Sequence, residues 1–153
     1  MGLPYANASS GEKALNDLQK ILRGFGCAQF GTWNDEEAAT VTVQFKYRGN
    51  QVSVTGSSKG YAAAWLKENP WTHRRKVSRA DYEKKALNIG RIAIYSMLRD
   101  WIKGQVTAVE CGILSFEGAF LGQMLLPSGK TVLEAVTTGA NPLLPAPCTE
   151  PQK

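Results

Sequence analysis

The chain has 153 residues, 43% of them hydrophobic and 20% charged, and its formal net charge is +5 at pH 7. That length and composition predict one folded domain with a real core. No apolar run approaches the roughly 20 residues of a membrane span, and the amino terminus lacks signal-peptide regions, so we expect a cytoplasmic protein. One histidine, His73, and three widely spaced cysteines argue against a histidine metal site, a Ser-His-Asp triad or a zinc knuckle.

The first predicted element is an amphipathic amino-terminal helix. Ser9 and Glu12 have the spacing of a capping box, and apolar residues up to Leu22 then recur at helical spacing. Gly24-Phe25-Gly26 partly resembles a dinucleotide-binding loop, but it ends a helix instead of opening one. We therefore interpret this tripeptide as a helix stop.

A β-hairpin is predicted next, because apolar and polar residues alternate from Val41 to Thr55. A two-residue turn at Gly49-Asn50 would pair Phe45 with Val54. The apolar residues then share a face that we expect on the core, and the opposite face carries hydroxyls, amides and two cations in water. Residues 27–33 are predicted as a third strand.

Two helices are predicted in the middle of the chain. A short one covers residues 61–67 and ends before Pro70, and a polar connection, 71–77, leads to a long helix capped by Ser78. Adjacent apolar stripes give this long helix a wide buried face, which we expect to organise the core. Its opposite side carries a basic stripe with one tyrosine, formed by Lys84, Asn88, Arg91, Tyr95 and Arg99.

Shorter elements complete the prediction. Cys111-Gly112 ends the long helix, Ser115 caps a shorter helix, and a last short element covers 131–136. The sequence thus predicts an α+β fold over residues 1–136, in which a small antiparallel sheet of about three strands packs on one long helix, with an N-terminal helix and short C-terminal helices. Residues 137–153 are rich in Pro, Gly, Thr and Asn, and we expect them to be disordered.

Residues 98–134 carry short patterns in a fixed order. They are Ala108-Val109-Glu110 before a Gly-Ile turn, Phe116-Glu117 with Phe120-Leu121, and Leu126-Pro127 leading to Val132. This segment resembles the carboxy-terminal half of small uncharacterised proteins encoded by bacteriophages and prophages. The resemblance covers about a quarter of the chain and brings no catalytic motif. It implies a viral origin in a bacterial host cell, and roles in DNA replication, recombination or packaging, or in blocking host defences.

The positive charge is confined to one segment of the chain. Between Lys59 and Lys103 there are eleven basic and four acidic residues, a net charge of +7, and the rest of the chain sums to −2. Trp65 and Trp71 flank the start of the densest part. Since counterion release favours polyanion binding and aromatic faces hold unstacked bases, the segment predicts a nucleic-acid interface. Its candidate residues are Lys46, Arg48, Lys59, Trp71, Arg74, Arg75, Lys76, Arg79, Lys84, Arg91 and Arg99.

Structural interpretations of the same residues stay open. Residues 71–79 are also compatible with a solvated basic loop whose Trp71 is tucked into the core. The basic stripe is compatible with the polar side that any long helix needs. Lys46 and Arg48 would lie on the polar face of any one-sided sheet, whether or not that face binds a single strand.

No residue pattern indicates an enzyme, and we expect neither a cofactor nor a metal. Glu110 and Glu117 lie seven residues apart across a predicted helix break. Asp35, Glu36 and Glu37 form an acidic run without further ligands at metal-binding spacing. We interpret all five carboxylates as solvated.

Two functional hypotheses follow from the basic segment. The first is a non-enzymatic nucleic-acid-binding protein for single-stranded DNA or the backbone, in phage recombination or replication, able to act as a homo-oligomer. The second is a phage inhibitor of a host defence enzyme that acts by protein–protein contact, with Trp65, Trp71, Tyr95 and the arginines as its hot spot. Composition does not separate the two, because Trp, Tyr and Arg serve both.

Overall fold

The computed structural model describes residues 2–138. The elements in chain order are α1 (Gly11–Phe25), β1 (Gln29–Asp35), β2 (Thr40–Tyr47), β3 (Asn50–Ser57), α2 (Ser58–Glu68), α3 (Arg79–Glu110), α4 (Phe116–Phe120), a 3-10 turn (Leu121–Gln123) and α5 (Val132–Thr137). This architecture confirms the predicted α+β fold. Thr137, where the tail was expected to begin, is the last residue of α5, and residues 139–153 of that predicted tail lie outside the described residues.

The three strands form an antiparallel sheet in the order β1-β2-β3. The predicted hairpin turn is wrong by one residue: it lies at Arg48-Gly49, and Phe45 pairs with Val52 instead of Val54. Arg48 and Gly49 have φ values of 47° and 84°, the positive values that a two-residue hairpin turn of this hand needs at both central positions. Because the pairing moves by two residues, the apolar face stays on the core as predicted.

The amino-terminal helix α1 packs along α3. Its N-cap is Ser10, whose Oγ accepts a hydrogen bond from the backbone N–H of Lys13 at 3.1 Å, so the predicted cap at Ser9 is wrong. Gly26 follows the helix with a φ of 101°, and its left-handed conformation confirms the predicted helix stop. The side chains that α1 buries are Ala14, Leu18, Leu22 and Phe25.

The amino-terminal half of α3 pairs with α2 to form a helical hairpin. A Cβ on Gly90 would lie 2.6 Å from the carbonyl oxygen of Ser58, so the two backbones touch there. Nearer the end of the hairpin, the rings of Trp65 and Tyr82 pack 5.5 Å apart. We call residues 58–90 the arm, and the connection between its helices, residues 71–77, the arm tip.

The arm extends past one end of the sheet. The side chain of Ile94 lies against Gly56 near the end of β3, where a Cβ would approach it to 2.6 Å. Arg79 precedes Ile94 by fifteen residues, which places it about 22 Å farther along the helix axis. The arm tip therefore stands well clear of the three strands.

The core lies between the apolar face of the sheet, the carboxy-terminal half of α3 and α4. Phe120 is fully buried and makes edge-to-face contacts with Phe45 at 5.3 Å and with Trp101 at 5.7 Å. Beyond α4, Met124 forms an antiparallel bridge with Val52 and so widens the sheet locally at the edge strand β3. Aromatic pairs of this kind stabilise beyond the burial of their area, so α4 is held firmly on the sheet.

Candidate nucleic-acid interface

The arm tip brings together the densest part of the predicted site. Arg74, Arg75 and Lys76 are exposed there, and no carboxylate within residues 2–138 forms an ion pair with them. Arg79, in the first turn of α3, pairs with Glu83 at 3.1 Å. Both partners of that pair are exposed, so the pairing adds little energy and leaves Arg79 able to meet another anion.

The arm tip is a hydrogen-bonded turn. The indole N–H of Trp71 donates to the carbonyl oxygen of Val77 at 2.9 Å, and its ring packs on His73 at 4.7 Å. The guanidinium of Arg75 lies over the ring of Tyr82, 4.6 Å from its centroid. Since these contacts fix the turn and one of its cations before any ligand arrives, binding there orders few further groups.

The two tryptophans of the arm have different settings. Trp65 packs against Tyr82 between the two helices, so the arm itself covers much of the ring. Trp71 is half-buried at the tip, beside the three exposed cations. Stacking of a base on Trp71 stays a prediction, and Trp65 serves the packing of the arm.

Lys59, Lys84 and Arg91 lie at the base of the arm in a mixed electrostatic setting. Lys84 and Arg91 line a hollow of about 290 Å³ whose other wall includes Asp35, the last residue of β1, and Glu36 of the turn that follows. Lys59 donates from Nζ to the backbone carbonyl of Glu37 at 3.5 Å. The acidic run that the sequence presented as a solvated turn therefore faces these three cations and weakens their field.

Arg99 is held by carboxylates. Its guanidinium lies 2.8 Å from Asp100 and 3.7 Å from Asp17, and its side chain is 25% exposed. The hydrogen bond from Arg99 holds the pKa of the Asp100 carboxyl below its usual value, and the same bond raises the pKa of Arg99. Between Arg91 and Arg99, Tyr95 packs under α1, so α1 interrupts the predicted stripe.

Lys46 and Arg48 lie at the opposite end of the molecule from the arm tip. The guanidinium of Arg48 sits over the ring of Tyr47 at 5.1 Å and lines a hollow with Glu110, the last residue of α3. Most of α3, about 45 Å, separates that hollow from the arm tip. The eleven predicted residues thus form a tip cluster, a group at the base of the arm, and separate sites at Arg99 and at Lys46 with Arg48.

Trp33 is an aromatic residue of the candidate interface that the sequence patterns did not indicate. It is 55% exposed and lies on the solvent-facing side of the sheet, beside Gln44 and Lys46. Residues 27–33 were predicted as a strand without an assignment of faces. Phe30 could have indicated which face of the strand is buried. A core-facing Phe30 places Trp33 on the opposite, solvent-facing side of the strand.

Comparisons with protein-family models, with curated proteins and with solved structures gave no match. Among the helices of residues 2–138, none combines the length and apolarity that crossing a bilayer requires. Over the same residues, His, Cys, Asp and Glu side chains form no group of three able to hold a metal ion. The geometry and charge of the arm are therefore the basis for a functional proposal.

Proposed function

We propose that this protein is a non-enzymatic nucleic-acid-binding protein that holds single-stranded nucleic acid by the phosphate backbone at its arm tip. The observation that carries the proposal is the group of three exposed cations, Arg74, Arg75 and Lys76, which have no carboxylate partner within residues 2–138. A role in phage recombination or replication, suggested by the resemblance of residues 98–134, belongs to the same proposal.

The shape of the tip favours the backbone over a specific base sequence. A narrow turn at the end of two helices can approach phosphates from several directions, whereas reading base edges in a duplex needs an element laid along a groove. Phosphate contacts fix position and carry no direct sequence information. The expected ligand is therefore a flexible single strand, bound with strong dependence on salt and weak dependence on sequence.

An affinity comparison tests the proposal. A variant with Arg74→Gln, Arg75→Gln and Lys76→Gln is titrated with a labelled oligodeoxynucleotide at low salt. Its matched control removes the same charge elsewhere, by Lys13→Gln, Lys20→Gln and Lys103→Gln, all at exposed positions outside the arm and the candidate site. We expect the tip variant to lose at least tenfold in affinity and the control to lose much less. The reason is that cations contribute to binding when they lie close to the phosphates, and not through the net charge of the protein.

The alternative function is inhibition of an acidic host enzyme by protein–protein contact. Two of its expected hot-spot residues are partly covered within this chain: Trp65 by Tyr82, and Tyr95 by Gly11. A hot-spot side chain must be free to enter a partner's pocket, so we favour nucleic acid. Wild-type protein that binds no oligonucleotide even at low salt would contradict the nucleic-acid proposal and leave the protein partner.

A further inference from the structure

The solvent-facing side of the sheet forms a groove between Trp33 on β1 and the segment that carries α5. Two hollows, of about 250 and 390 Å³, lie along it, and Gln44 in the central strand lines both. Trp33 and Lys46 border the first, and Leu133 of α5 borders the second. We call this surface the sheet groove. It lies on the other side of the sheet from α3.

The indole of Trp33 lies along its strand, over Gly31. A Cβ added to Gly31 would come within 3.0 Å of the indole Cη2 and 3.3 Å of Cζ3. The missing side chain thus gives the ring a place to lie against the backbone, with its other face open to solvent. An aromatic face held in this way is a platform for a planar group such as a nucleobase.

Beside the platform stands a row of neutral hydrogen-bonding groups. Gln51 donates from Nε2 to Gln44 Oε1 at 3.3 Å, and Gln44 donates from Nε2 to Ser53 Oγ at 3.2 Å. Each primary amide has a second N–H, which these bonds leave free to donate to a ligand. Amides and hydroxyls in this pattern match the mixed donors and acceptors of a base edge.

The charges around the sheet groove suit an anionic backbone. Lys46 borders the first hollow, and Lys130 lies between two residues that line the second. The carboxylate of Glu134 accepts hydrogen bonds from the Thr131 N–H at 2.7 Å and the Thr131 hydroxyl at 3.1 Å, so it is engaged within the helix cap. Asp35 lies at the end of β1, outside both hollows, with Oδ1 bonded to the N–H of Ala38.

We propose that the sheet groove is a base-binding site, in which an unpaired base stacks on Trp33 while Gln44 and Gln51 hydrogen bond to its edge and Lys46 meets the adjoining phosphate. The inference rests on the proposed function, because it assumes a single-stranded ligand. It adds a division of labour: the arm tip holds phosphates and the sheet groove holds bases. The second site also gives Lys46, remote from the arm, a place in nucleic-acid binding.

The test compares two probes of equal length and charge, an oligothymidylate and an oligomer of abasic nucleotides. Trp33→Ala should weaken oligothymidylate binding by about 5- to 100-fold and leave abasic binding unchanged, because base stacking is lost and the phosphate contacts remain. Ile113→Ala is the matched control, since Ile113 is a 76% exposed hydrophobic side chain away from the groove. Gly31→Ala should reproduce part of the Trp33→Ala effect by displacing the indole.

Each result bears on the inference separately from the proposed function. Equal oligothymidylate affinity for wild type and Trp33→Ala, with circular dichroism confirming the fold, would overturn the base site even where the arm-tip variant loses binding. Equal loss for both probes would also overturn it, because stacking requires a base. Tryptophan fluorescence that responds to a neutral oligosaccharide and not to oligothymidylate would overturn it in favour of a sugar site.

Discussion

The two halves of α3 belong to one continuous helix and bury different kinds of side chain. In the arm, Ala86 and Gly90 are buried where the helix backbones approach closely, and one large ring, Tyr82, packs on Trp65 nearer the tip. Across the sheet, Ile94, Leu98 and Ile102 pack among aromatic rings. Large apolar side chains contribute most of the free energy of folding, so the sheet half carries the stability of the molecule. The arm half has only a thin interface between its two helices, and its outer surface carries charged side chains.

This contrast explains why the positive charge of the chain is concentrated where it is. The arm is only two helices wide, so the cations of its tip lie close together and away from the carboxylates that hold Arg99. Perturbing one half of α3 at a time separates the contributions of the arm and of the sheet half.

Truncation of the core should break the sheet half. Phe120→Ala is expected to lower the free energy of unfolding by about 3–5 kcal/mol, since it removes a fully buried ring that touches both Phe45 and Trp101. Leu121→Ala is the neighbouring control, because Leu121 is 53% exposed and should change stability by less than about 1 kcal/mol. Urea denaturation measures the stability of both variants. A loss for Phe120→Ala as small as that for Leu121→Ala would show that α4 is not part of the core.

Alkaline pH should weaken the sheet half through Cys27. Burial raises the pKa of this thiol to about 11, from 9.0 in an exposed setting. The stabilisation is fully present below pH 9, and it is lost as pH rises to about 11, because the unfolded chain ionises first. Two pKa units correspond to roughly 2–3 kcal/mol. The difference in unfolding free energy between wild type and Cys27→Ala should therefore narrow from pH 9 to 11, and a constant difference would contradict the burial of the thiol.

Alanine at two glycines of α3 should have opposite effects. Gly90→Ala is expected to cost about 1–3 kcal/mol, because its Cβ would meet the backbone of Ser58 and force α2 away. Gly104→Ala should stabilise by up to about 1 kcal/mol, since no neighbouring group among residues 2–138 lies within 4 Å of that Cβ and alanine favours the helix.

Hydrogen exchange can localise the Gly90→Ala effect. Amides of α2 should exchange faster in that variant, and those of β2 should exchange at the wild-type rate. Equal acceleration in α2 and β2 would mean that the arm and the sheet half do not differ in stability.

The acidic turn at the base of the arm should compete weakly with nucleic acid. Glu36→Gln with Glu37→Gln is expected to raise oligonucleotide affinity by up to about fivefold at low salt. The carboxylates would then no longer offset the positive potential of Lys59, Lys84 and Arg91. Glu12→Gln with Glu110→Gln removes the same charge elsewhere and should have less effect. High salt should abolish the difference between the two variants. An equal gain for both variants would show that only net charge matters.

Local chemistry made much of the fold predictable. Ser78 caps α3 by accepting from the N–H of Asp81, and Ser115 caps α4, both as predicted from side chains within a few residues. The hairpin faces were predictable because alternation has a period of two residues. The turn was misplaced because Arg48 adopts a positive φ that is uncommon for arginine, and the pairing of two full strands outweighs that local preference.

The candidate site was predictable in its residues and not in their arrangement. Periodicity placed Lys84, Arg91 and Arg99 on one side of a helix, but it could not show that α1 crosses that side at Tyr95. Nor could it show that Arg48 meets the far end of α3. Such facts depend on which helix packs against which strand, and that choice is made by contacts between residues distant in sequence.

The salt dependence of binding reports how many phosphates the arm tip neutralises. The logarithm of the association constant for a single strand should fall with the logarithm of salt concentration, by about 0.7 for each phosphate neutralised. If Arg74, Arg75 and Lys76 each meet a phosphate, replacing all three with Gln should reduce that slope by about 2, and the Lys13, Lys20 and Lys103 control should keep the wild-type slope. The same slope for the tip variant and wild type would contradict binding at the arm tip.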